Sequence, residues 1–144
     1  MVEILVVITI ISILAGLILG GITVATNNKD KVDTKNTLMT LTIALEKYKK
    51  ERGVYPTKAS WNSTLMTTLL KYETFYVDGN GNAVDSWGQA ISYVPYGEYT
   101  STNASFFSSS STSFINPNSF QLRSAGPDGT WGNADDVENF EVSY

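Results

Sequence analysis

The 144-residue chain contains no cysteine and no histidine. That excludes disulfides, Cys/His zinc sites, haem ligation by histidine, and Ser-His-Asp or Cys-His nucleophilic machinery. A metal site would have to use oxygen ligands, which favours Ca²⁺ or Mg²⁺. Basic residues nearly vanish from the second half: residues 73–144 hold Arg123 alone against nine acids, net −8. Residues 1–72 hold nine Lys/Arg and five Asp/Glu, net +4, and the two halves give the chain's −4. The overall acidity speaks against a nucleic-acid partner. Aromatic residues are missing until Tyr48, and no charge lies between Glu3 and Lys29.

What fills that gap is aliphatic. Residues 4–25 form an uncharged run of 22, roughly 33 Å as a helix and enough to cross a bilayer core. A signal peptide fits badly, since a basic leader region and an A-x-A site are missing. A plain anchor fits except for Glu3, a carboxylate that is costly in lipid unless paired. Its nearest available cation is an α-amino group; alternatively it sits at the headgroup boundary. Gly20 and Gly21 adjoin within the helical pattern, where each costs roughly 1 kcal/mol against Ala. They read as a bend or as a place of close helix packing. Lys29, Lys31 and Lys35 would hold that flank on the cytoplasmic side unless a basic leader set the orientation.

Beyond Asn28 the pattern turns amphipathic. Leu38, Leu41, Leu45 and Tyr48 make one apolar stripe, and Gly53 followed by Pro56 is a stop signal. The spacing predicts one helix over about 2–52, packed by its second half on a small domain. The expected divisions are 1–26 (apolar helix), 27–52 (amphipathic continuation) and 53–144 (a globular α+β domain with an antiparallel sheet).

Trp61, Leu65, Leu69 and Tyr72 suggest a short second helix or a turn-rich loop. Asp78-Gly-Asn-Gly81 reads as a strand-connecting turn. Asp78, Asn80, Asn82 and Asp85 match an EF-hand poorly, since Ala83 and Gln89 stand at its Gly and Glu positions. Residues 100–114 are Ser/Thr-rich and read as an exposed loop, with Phe106, Phe107 and Phe114 as pins. Asn62-Ser-Thr and Asn103-Ala-Ser are N-glycosylation patterns.

The acidic C-terminal loop, 122–139, brings three carboxylates within nine residues. Asp128, Asp135, Asp136, the Ser124 hydroxyl and backbone carbonyls would suffice for Ca²⁺. The same residues also fit a solvated acidic turn.

The segment VEILVVITIISILAGLIL, starting at Val2, resembles the N-terminus of type IV pilins and type II secretion pseudopilins. YKKERGVYPT (48–57), DSWG (85–88) and SAGPDG (124–129) followed by Asp135 and Asp136 are similar to the major pseudopilin. The resemblance implies a pilin-like fold and a subunit that polymerises into a pilus or pseudopilus filament. It implies maturation by a prepilin peptidase, N-terminal methylation, an inner-membrane stage and then an extracytoplasmic filament raised by an assembly machinery. It makes Glu3 the assembly glutamate and Gly20-Gly21 the helix-loosening point, with two residues and a leader missing before Met1. It also implies a calcium loop of Ser124, Asp128, Asp135, Asp136 and the Leu122 carbonyl. The alternatives are a monomeric membrane-anchored calcium- or carbohydrate-binding module using Trp61, Trp87 and Trp131, and an anchored enzyme with paired Asp residues.

Overall fold

The computed structural model describes residues 2–104 and 113–140, leaving aside the side chains of 18–25 and 27. The chain opens with α1 (Val2–Arg52), then a 3₁₀ turn (Lys58–Ser60) and α2 (Ser63–Leu69). Three strands follow: β1 (Ser92–Pro95), β2 (Phe120–Ser124) and β3 (Val137–Glu138). They form an antiparallel sheet in the order β1-β2-β3, with Tyr93 opposite Leu122 and Ser124 opposite Val137. The architecture is α+β, with helices packed on a small antiparallel sheet.

The apolar stripe does what its period requires. Leu38, Leu41, Ala44 and Leu45 of α1 are buried against Leu65, Met66 and Leu69 of α2 and against Phe75, Ile91, Tyr93, Phe120 and Leu122. Tyr48 packs at the margin of this core. Trp61 stacks on Tyr93 with ring centroids 4.5 Å apart, and its indole N–H donates to the Ile91 carbonyl. The Tyr93 hydroxyl donates to the Pro56 carbonyl at 2.7 Å, and burial pushes its pKa well above the usual phenol value. Gly53 ends α1 at φ +80°, its N–H donating to the Lys49 carbonyl. Asn62 caps α2 by accepting from the Thr64 and Leu65 amides. α2 is shorter than the window read from Trp61 to Tyr72.

The Asp78 turn forms as a hydrogen-bonded turn. The Asp78 carboxylate accepts from the Asn80 and Asn82 amides, and Val77 faces Ala83. Hydrogen bonds from Asn82, backbone first, hold its carboxyl below the usual carboxylate value. The turn's contribution is therefore present above the unfolded-state pKa and lost as pH falls through the folded one. Phe114 meets Tyr99 at 5.3 Å. Phe106 and Phe107, with most of the Ser-rich stretch, lie outside the described residues.

Asp85 joins these parts. It is buried, and among the described residues no countercharge lies beside it. One oxygen accepts from the Trp87 and Gln89 amides at 2.9 and 2.8 Å. The other accepts from the Ser124 hydroxyl at 2.5 Å. The next amide, Ser86, donates to Thr34 on α1. The carboxylate ties the 85–89 corner to β2, and the neighbouring Ser86 amide ties the same corner to the helix.

The membrane and filament expectations are corrected here. Among the described residues, no helix is long and apolar enough to cross a membrane. The pilin or pseudopilin identity and the polymerising filament do not stand. Neither do the inner-membrane stage, the extracytoplasmic filament, the prepilin peptidase and assembly partners, or the membrane-anchored binding module.

Replacing Asp85 by Ala leaves one buried and two half-buried donors unsatisfied and should cost about 3 kcal/mol. Ser124→Ala should cost about 1.5 kcal/mol. Urea unfolding of the two single variants and the double variant checks this. The double should fall short of the sum, since both changes remove the same bond.

Candidate functional site

Two regions carry features that a folded core does not explain: the start of α1 and the acidic loop.

At the start of α1, apolar residues surround the helix instead of lining one face. Eleven large side chains among residues 2–17, from Val2 to Leu17, are each at least 52% exposed. The two hydroxyl side chains among them are self-contained. Thr9 and Ser12 donate their hydroxyls to the Leu5 and Ile8 carbonyls, both at 2.7 Å, one turn back. Such back-bonding leaves no hydroxyl asking for water. A Cβ at Gly16 would meet nothing within 4 Å, so another backbone can approach closely there. Glu3 stands exposed in the first turn, where the helix dipole favours it. Its role toward a neighbouring subunit's amine falls with the filament. α1 is continuous through Gly20 and Gly21, whose surroundings lie outside the described residues.

The acidic loop shows why its carboxylates tolerate one another. Asp128 accepts from the Thr130 amide at 2.7 Å and from the Asn133 side chain at 2.8 Å. Asp136 accepts from the Gly132 amide at 2.8 Å. Asp135 instead lies over Gly126: a Cβ at Gly126 would come within 2.6 Å of the Asp135 carbonyl oxygen, so only glycine fits there. The countercharge is Arg123. Its guanidinium lies 3.7 Å from Asp136 and 3.0 Å from Glu138, the latter an ion pair too bent to be a hydrogen bond. The same group covers the Trp131 ring at 5.2 Å.

Measured against the calcium expectation, the fit is partial. The Ser124 hydroxyl is committed to Asp85, and the Leu122 carbonyl accepts from the Asn139 amide at 3.1 Å. Among the described residues no three acidic side chains converge as a metal cage would require. One oxygen remains open: Asp136 Oδ1 is buried without a hydrogen-bond partner among the described residues.

The other singled-out residues scatter. Asn62 spends its carbonyl oxygen on the α2 cap, while both ends of the Asn103 amide are engaged, with Glu98 and Thr100. Trp61 and Trp87 pack against the core and Trp131 is exposed beside Arg123, so the three make no common platform. Asp78 and Asp85 each serve their own turn. Asp85 and Arg123 went unnoticed as organising residues. Arg123 had a signal, as the lone cation of an acidic half. Asp85 had none beyond its turn.

Comparison with known proteins finds no matching family model, no similar curated protein and no similar solved structure.

Arg123→Met takes the guanidinium away from two nearly buried carboxylates, Asp136 and Glu138, and should cost about 3–4 kcal/mol. The cost should shrink when Asp136→Asn and Glu138→Gln are added. Urea unfolding of the single and triple variants measures both effects.

Proposed function

We propose that the protein is a non-catalytic interaction module whose apolar segment, residues 2–17, is buried among apolar helices of neighbouring protein chains. The observation that carries this is the exposure of eleven large aliphatic side chains around the whole helix. Burying one such side chain is worth roughly 1.5 kcal/mol or more, so the segment offers on the order of 10–20 kcal/mol before the cost of association. A single facing surface covers one side of a helix, so an all-round apolar segment calls for enclosure. Two features favour protein as the surroundings. Tryptophan and tyrosine, the usual interfacial anchors, are missing throughout residues 1–47. Gly16 and the self-bonded Thr9 and Ser12 suit close, dry helix packing. The α+β body, fixed to residues 34–48 of α1, serves as the rigid base from which the segment projects.

Deletion of residues 2–17 tests this. The intact chain should sediment as an associated species and enhance the fluorescence of an apolar dye. The shortened chain should be monomeric, silent toward the dye and unchanged in melting temperature. An intact chain that is monomeric and dye-silent would contradict the reading.

A second reading rests on one oxygen. Asp136 Oδ1, buried without a hydrogen-bond partner among the described residues, favours a cation in the 122–139 loop, held by Asp136 with Asp128 and competing with Arg123. Calcium added in large excess over its Kd should then raise the melting temperature by about 5 °C over metal-free protein. Superimposable curves in calcium and in chelator would sink it.

A further inference from the structure

Residues 74–77 run beside α1 and lead into the Asp78 turn. The hairpin takes up the Tyr76 carbonyl, which accepts from the Val84 amide at 3.1 Å, and the Asp78 amide, which donates to the Asn82 carbonyl at 2.9 Å. In an antiparallel pair the residue between two such groups directs its own N–H and C=O to the opposite side. That residue is Val77. Among the described residues nothing bonds to the main-chain N–H or C=O of Val77, or to those of Phe75. This is a short free edge, the kind of edge that folded proteins usually cover or block.

The edge borders a cavity of about 600 Å³. The opposite wall is the polar face of α1, with Asp30, Asp33 and Asn36. Among the described residues the only Lys or Arg lining the cavity is Lys29, already bound to Asp33 at 2.6 Å and 4.0 Å from Asp30, so the wall keeps a negative excess. Tyr76 stands 73% exposed at the margin, available to cover an incoming side chain.

We infer that this cavity receives an extended, basic peptide segment of a partner protein. The peptide adds as a strand to Val77 and places a Lys or Arg side chain against Asp30 and Asp33. Main-chain pairing supplies the register and the carboxylates select the charge. The site is separate from the apolar segment at residues 2–17 and does not depend on it.

The probe is a capped synthetic peptide, Thr-Val-Thr-Val-Thr-Lys-Lys, titrated into the full ¹⁵N-labelled chain. At saturation the Val77 amide should exchange with solvent about tenfold more slowly. Asp30→Asn combined with Asp33→Asn should weaken binding about fivefold at low salt. A peptide N-methylated on alternate amides should not bind, and Val77→Pro should abolish binding in a chain that stays folded by circular dichroism. Should that variant unfold, the N-methylated peptide decides the matter on the unaltered chain. Failure of the probe to bind would overturn the proposal. So would equal binding of the N-methylated form, or shifts confined to residues 2–17 with Val77 untouched.

Discussion

A carboxylate buried with no countercharge beside it among the described residues is the constraint on which the rest of this structure depends. Asp85 is 4% exposed and keeps its place through three hydrogen bonds, two from its own turn and one from Ser124. Burial of a charge is expensive unless every lone pair that faces the interior is met. Meeting them fixes the 85–89 corner against the end of β2. The neighbouring Ser86 amide, bonded to Thr34, fixes that same corner against α1. The apolar core of Leu41, Leu45, Leu69 and Phe120 supplies the driving force, but apolar burial has no direction. The Asp85 cluster selects which residues of the helix lie over which residues of the sheet.

From that fixed junction the chain separates into two regimes. Leu38, Leu41, Ala44 and Leu45 of α1 spend their side chains inside the body. Residues 2–17 spend theirs on nothing in the chain itself. Both belong to one helix, so the body determines the direction in which the apolar segment points. The acidic loop follows a different logic. Its charges are close because backbone amides, Asn133 and Arg123 divide the work of stabilising them.

How much of this was legible in the sequence depends on the range of each signal. The stripe of Leu38, Leu41 and Leu45, the stop at Gly53 and the turn at Asp78 are local patterns, and all three form where their spacing places them. The role of Asp85 is not local. Ser124 is 39 residues further on, and Thr34, which takes the Ser86 amide, lies 52 residues before its donor. In the acidic loop, carboxylates at short spacing fit a cation site or a solvated turn equally, and only the resemblance favours the cation. Sequence spacing could not show that the Ser124 hydroxyl turns to Asp85, or that Arg123 lies between Asp136 and Glu138. The apolar N-terminal run was plain in the composition. Reading it as a membrane and filament element went beyond what the described helix carries.

The central claim is that residues 2–17 are covered by protein. A benzophenone side chain placed at Ile10 and illuminated in the cells that make the protein tests it most directly. The account predicts a covalent adduct between this chain and another polypeptide, mapped to an apolar helix. Adducts with lipid alone, or no adduct while the chain is present and folded, would contradict it.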